Sequence, residues 1–200
     1  MNERKKQKVS VYRLCLVAMA IVMNVAGAQL ALALRLPIYL DSIGTILAGV
    51  LLGPVYGMLP PLLSGIFLGM TIDIYSLYFA PAGMAVGLMS GLARQLGLVQ
   101  KRRLWAAAAM VTVPGTLASS LICSVLFGGV TSSGSMVLVQ LLARTPLGMT
   151  ASIFVVQIVT DYLDRFISLF FVAVLLKTLP YDVKSRWEGG MRHGDSTKPL

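Results

Sequence analysis

The chain has 200 residues, of which 56% are hydrophobic and 12% are charged, and its mean hydropathy is +0.80. Ordinary soluble domains contain roughly 25% charged residues, so this composition excludes a soluble domain and indicates an integral membrane protein. The net charge of +9 comes from basic residues that flank apolar runs without interleaved aromatic residues. That pattern favours a position beside anionic lipid over binding of nucleic acid.

The first predicted helix covers residues 12–34, because a spanning helix needs about 20 apolar residues. It ends before Pro37, since proline disfavours a helical residue in front of it. Residues 14–28 also resemble a signal peptide with a cleavage site, but the apolar run continues beyond them to Leu34. The sequence therefore favours an uncleaved first helix.

Five further spans are predicted. The second helix ends near Leu52, and the other four cover about 55–72, 78–96, 104–127 and 151–179. Asp41 or Ser42 can cap the second helix, and the Pro60-Pro61 pair is expected to kink the third because it lacks backbone donors. Residues 73–76 are expected to form a polar break between the third and fourth helices.

The distribution of cations predicts the orientation of the bundle. With six spans, both chain ends and the loop between the fourth and fifth helices lie on one side, and these segments hold thirteen of the seventeen cations, including Lys101-Arg102-Arg103. Cationic loops are preferentially cytoplasmic. The sequence therefore predicts an all-α bundle of six transmembrane helices with both termini cytoplasmic: a basic N-terminus at 1–11, the membrane domain at 12–179 and a tail at 180–200.

Glycines recur every fourth residue along the predicted second to fourth helices, at Gly49, Gly53 and Gly57, at Gly65 and Gly69, and at Gly83, Gly87 and Gly91. Small residues at this spacing let helix backbones approach closely within a membrane. They are expected to pack the helices of this chain, or else to dock a partner subunit.

No catalytic or metal-binding motif is present in the sequence, and no cofactor is expected. Asp161 and Asp164 share one helix face and could hold Mg²⁺, as the aspartates of phosphatidyl-transferring membrane enzymes do. Those enzymes have a second aspartate pair that this chain lacks. The adjacent Arg165 favours a local ion pair instead.

Polar and aromatic residues collect near the three predicted outer loops and in the outer part of the last helix. Ionisable groups at membrane depth are costly, so they usually line a cavity or pair with one another. Such a group fits a small polar molecule that is held by aromatic contacts and a few hydrogen bonds. The predicted substrate-binding residues are Arg35, Tyr39, Asp41, Asp73, Tyr75, Tyr78, Gln140, Arg144, Gln157 and Asp161.

The chain resembles the substrate-binding S components of energy-coupling factor (ECF) transporters. The resemblance rests on its size, its six predicted spans, residues 40–45 and 51–57 with their Gly-Pro turn, and residues 164–168 leading to Leu179-Pro180. It implies a multi-pass protein of the cell membrane that binds a vitamin or related micronutrient with high affinity beneath its outer loops.

The same resemblance implies the partners. An S component of this type of ABC importer associates with a transmembrane coupling subunit and two cytoplasmic ATPases. Family members often dock through an Ala-xxx-Ala face on the first helix. Here that pattern is incomplete, and the substitute face would consist of Ala18, Ala20, Asn24 and Ala28.

Two other functions remain open from the sequence. The chain has no ATP-binding motif, so uphill transport needs either a partner or an ion gradient. A stand-alone carrier would use Asp161, Asp164 and Arg165 as a proton or ion relay. A lipid-modifying membrane enzyme would depend on the same carboxylates.

Overall fold

The computed structural model describes residues 11–99, 103–128 and 134–178. These residues form only helices and connecting turns, with no strand. In chain order the helices are α1 Val11–Ala33, α2 Ile43–Leu52, α3 Pro54–Gly57, α4 Leu59–Thr71, α5 Ile74–Gln95, α6 Leu104–Phe127, α7 Ser135–Leu142 and α8 Gly148–Thr178. The two predicted cytoplasmic tails, apart from Val11, and Lys101 and Arg102 lie outside the described ranges.

Among the described residues, four helical segments are long and apolar enough to cross a membrane: α1, the combined α3 and α4, α5 and α6. The other two segments that were predicted as spans also contain helices, but they do not have the length and composition of the first four. The apolar α2 has only 10 residues, and α8 has 31 residues but carries three charged side chains near its middle. Large apolar side chains are exposed along the long helices, as expected of surfaces that face lipid. The protein is an all-helical membrane protein.

The centre of the bundle is occupied by α2. It packs against α1, α5 and α8, and every residue from Gly44 to Val50 is buried. Its side chains join those of α5, α6 and α8 in one apolar cluster, which includes Ile46, Val86, Val111 and Leu169. A helix that is apolar on all sides must be shielded from water by lipid or by protein, and the short α2 is shielded by the helices around it.

The glycines let these helices touch backbone to backbone within the chain. A Cβ atom at Gly44 would overlap the Ala20 carbonyl oxygen of α1, and one at Gly87 would overlap the Gly57 carbonyl oxygen. Gly53 supplies a positive φ of 98° for the turn between α2 and α3. The interpretation that small residues pack helices of this one chain agrees with these contacts.

Three local expectations differ from the structure. The polar break at 73–76 is wrong, because the Asp73 side chain caps α5 by accepting a hydrogen bond from the Tyr75 backbone N–H at 3.4 Å, so the helix begins at Ile74. The third predicted helix is interrupted at Met58, before the proline pair rather than at it. Finally, α7 forms in a segment for which no helix was predicted.

Candidate functional site

A cavity lies near one end of the bundle, between α1, α2, α4, α5, α6, α8 and the segment 34–42 that connects α1 to α2. It offers about 120 Å³ to the centres of water-sized molecules. One water needs about 10–15 Å³ by that measure. The cavity therefore has room for a small organic molecule rather than for one or two waters.

Five of the ten predicted binding residues line this cavity: Tyr39, Asp41, Asp73, Tyr75 and Asp161. They come from three separate parts of the chain, and the fold brings them together at one site. Helix α5 contributes Tyr75 because Asp73 fixes the start of that helix. The first two segments that were predicted as outer loops thus meet at one cavity.

The other five predicted residues do not line the cavity. Arg35, Tyr78, Gln140 and Arg144 are exposed. Gln157 is buried, and its Oε1 accepts a hydrogen bond from the Ser120 hydroxyl at 2.5 Å, which ties α8 to α6. Gln140 and Arg144 lie in and after α7, whereas Gly134, directly before α7, lines the cavity.

A buried charge cluster fastens the segment 34–42 to α8. The fully buried Asp164 accepts hydrogen bonds from the Leu40 backbone N–H and the Ser42 hydroxyl, both at 2.9 Å. It also pairs with Arg165, whose guanidinium lies 3.9 Å from the Asp41 carboxylate. The Asp41 side chain is about half exposed and lines the cavity.

Ser42 therefore does not cap α2 as expected. It occupies the position before the helix, but its hydroxyl makes no cap hydrogen bond and is used by Asp164. The predicted ion pair between Asp164 and Arg165 is present. The segment above the cavity is thus held by α8 side chains.

The second carboxylate of α8 has different partners. Asp161 accepts hydrogen bonds from the Thr116 hydroxyl at 2.7 Å and the Ser119 hydroxyl at 3.5 Å, both on α6. Asp161 and Asp164 thus point to different groups instead of one shared ion. Among the described residues no group of three or more His, Cys, Asp or Glu could hold a metal.

Aromatic rings form one wall of the site. Tyr75 and Phe79 both line the cavity, and both pack on Phe127 of α6, with ring centroids 4.8 Å and 6.0 Å from it. Tyr78 packs on the same ring from outside the cavity. The cavity is therefore lined by flat aromatic rings of α5 and by the carboxylates of Asp41 and Asp161, which come from other elements.

The proposed docking face on α1 turns largely inward. Ala20 is fully buried, and Asn24 donates from Nδ2 to the Thr45 hydroxyl at 2.7 Å while its Oδ1 accepts from the Thr45 N–H at 3.1 Å. Ala28 lines the cavity. Only Ala18 is exposed. In this conformation Ala20 and Asn24 cannot contact a partner, because α2 covers them.

Several residues of the site were not among the predicted ones. They are Ser42, Thr45, Ser64, Phe79, Ser119 and Arg165. Phe79 follows Tyr75 by four residues, so helical spacing could have placed both on one face. Isolated serines and threonines give no such signal, because their helices are apolar on every side.

No protein-family model, curated protein or solved structure matches this chain significantly. The geometry of the cavity and the resemblance in sequence are therefore the grounds for a functional proposal.

Proposed function

We propose that this chain captures a vitamin-sized solute in the cavity and delivers it as the substrate-binding component of an ECF-type importer in the cell membrane. The observation that carries the proposal is a partly enclosed pocket whose polar and aromatic lining converges from sequence-distant elements. Pockets of this composition, between helices of a bundle, are the usual sites for small molecules.

The proposed orientation has six spans with both termini in the cytoplasm. Helix α5 starts at the cavity and has 22 residues, so it ends about 33 Å away at a rise of 1.5 Å per residue. The basic Arg103 precedes α6 at that distant end. Because cationic loops favour the cytoplasm, the cavity would open toward the exterior, as capture of an imported solute requires.

The energy for import would come from partners. The sequence has no ATP-binding motif, so the proposal includes a transmembrane coupling subunit and two cytoplasmic ATPases. The exposed apolar surfaces of the long helices offer the coupling subunit room to dock.

A stand-alone proton- or ion-coupled carrier is the second candidate. It is favoured by the three charged residues Asp161, Asp164 and Arg165 in the middle of α8, since charged groups at membrane depth often form relays. The lipid-modifying enzyme is not proposed. Its metal would require Asp161 and Asp164 to face one ion, and they bind different neighbours.

Ligand binding can be tested with the full chain purified in detergent. A panel of vitamins is screened by thermal unfolding, because a ligand at 100 times its Kd stabilises the folded state by about 2.7 kcal/mol. Tyr75→Ala and Asp73→Ala should weaken the stabilisation, and Arg144→Ala should not, since only the first two residues line the cavity. Equal loss in all three variants would contradict binding in this cavity.

The energy source is tested by affinity purification from the native membrane. Recovery of a coupling subunit with two ATPases supports the first function. Uptake into ATP-free vesicles under an imposed proton gradient, lost in Asp161→Asn, supports the carrier and refutes the importer.

A further inference from the structure

The charges around the cavity are unequal. Three carboxylates line it, those of Asp41, Asp73 and Asp161, against the single guanidinium of Arg165. The cavity is partly enclosed by protein, so solvent screens it incompletely and an excess of one charge acts on any solute that enters. The arrangement therefore bears on which solutes the proposed site accepts.

The one cation is already compensated from behind the cavity wall. Arg165 pairs with Asp164, which is fully buried and does not line the pocket. Its guanidinium also donates to the Ser42 hydroxyl. An anionic solute would have to compete with a buried carboxylate for Arg165, and the exchange would leave Asp164 buried without its counter-charge.

Within the described part of the chain, Asp161 has no ion-pair partner of its own, because Arg165 pairs with Asp164 and acts on Asp161 only from a longer distance. It accepts hydrogen bonds only from hydroxyl groups, and no cation of the described residues lies within 4.0 Å of it. Hydroxyl donors stabilise a carboxylate without cancelling its charge. A cationic group in the cavity would stabilise the carboxylate and would also cancel its charge.

We infer that the solute carries a positive charge, which is held by Asp161 and Asp41, and a ring or apolar part that lies on Tyr75 and Phe79. The inference rests on the proposed function, since it names the class of solute for that same cavity. Aromatic faces attract cations in addition to apolar groups. The two walls thus suit an amine, amidine or ring-nitrogen cation and disfavour a carboxylate or phosphate.

The test measures the electrostatic potential inside the cavity and does not require the solute to be known. Ser64 lines the cavity, and Ser64→Cys places a thiol there in a Cys15→Ala/Cys123→Ala background. The reaction rates of that thiol are measured with two methanethiosulfonates of similar size, one carrying trimethylammonium and one carrying sulfonate. The ratio of the two rates cancels changes in the reactivity of the thiol itself.

We expect the cationic reagent to react faster, relative to a free thiol in solution, and Asp161→Asn to lower the ratio about tenfold. Asp41→Asn should lower it as well, which provides a second variant if the first does not fold. The matched control is Arg144→Gln, which removes a charge that lies outside the cavity and should leave the ratio unchanged.

The outcomes separate this inference from the proposed function. A ratio that favours the anion, or one that neither aspartate variant changes, would overturn the cationic solute and leave the cavity as a binding site. A thiol that reacts with neither reagent until the protein is unfolded would overturn both, because the cavity would then be closed to solutes.

Discussion

Replacing Asp164 with alanine would remove the anchor between α8 and the segment that roofs the cavity. Asp164 is fully buried, accepts from the Leu40 N–H and the Ser42 hydroxyl, and pairs with Arg165. The substitution leaves a guanidinium in the protein interior whose remaining ion-pair partner is Asp41 at 3.9 Å. The loss of a buried partner is the main contribution to the expected effect.

The magnitude follows from the two kinds of contact that are lost. Removing one member of a buried ion pair costs about 3–5 kcal/mol. The Leu40 N–H and the Ser42 hydroxyl also lose an acceptor at this fully buried position, which favours the upper part of that range. We therefore expect Asp164→Ala to lower the free energy of unfolding by about 3–5 kcal/mol.

The assay is reversible unfolding of the purified chain in mixed detergent micelles, followed by circular dichroism. Asp164→Asn serves as a control that keeps an acceptor for the roof and removes only the charge. The double variant Asp164→Ala/Arg165→Met should lose less stability than Asp164→Ala, since it no longer buries an unpaired charge.

Two results would refute this reasoning. A loss below about 1 kcal/mol, typical of exposed pairs, would mean that Arg165 reaches water or lipid headgroups after the substitution. A double variant less stable than Asp164→Ala would mean that the arginine stabilises the fold independently of its carboxylate partner.

Three further predictions use the same protein. Asn24→Leu should lower the free energy of unfolding by about 1–3 kcal/mol, because the Thr45 N–H and hydroxyl lose their hydrogen-bond partner inside the bundle. Unchanged stability in the same detergent unfolding assay would contradict those hydrogen bonds. Gly44→Ala should destabilise by about 1–3 kcal/mol or more, since its Cβ would overlap the rigid Ala20 carbonyl, and a stable variant would show that α1 and α2 are farther apart. Phe79→Ala should weaken binding of any compound that stabilises the wild type by about tenfold, or 1.4 kcal/mol, as measured by equilibrium dialysis.

The membrane class and the extent of the longest helices are properties that the sequence determines locally. Residues 104–127 were predicted as one helix and form α6, because a long apolar run that must satisfy its own backbone in lipid has few alternatives to a helix. The start of α5 was misjudged, since the Asp73 cap adds a polar first turn to an apolar helix. The ion pair between Asp164 and Arg165 could also be predicted, because the two residues are adjacent and charged.

Which faces of the helices meet was decided only by the tertiary structure. In a soluble helix the polar face marks the outside, but lipid and protein core are both apolar, so the sequence does not say whether a residue such as Asn24 faces in or out. Packing of α2 at the centre turned Asn24 toward Thr45 and Asp164 toward the roof. For the same reason half of the predicted site lines the cavity, while Arg144 and Tyr78 lie outside it.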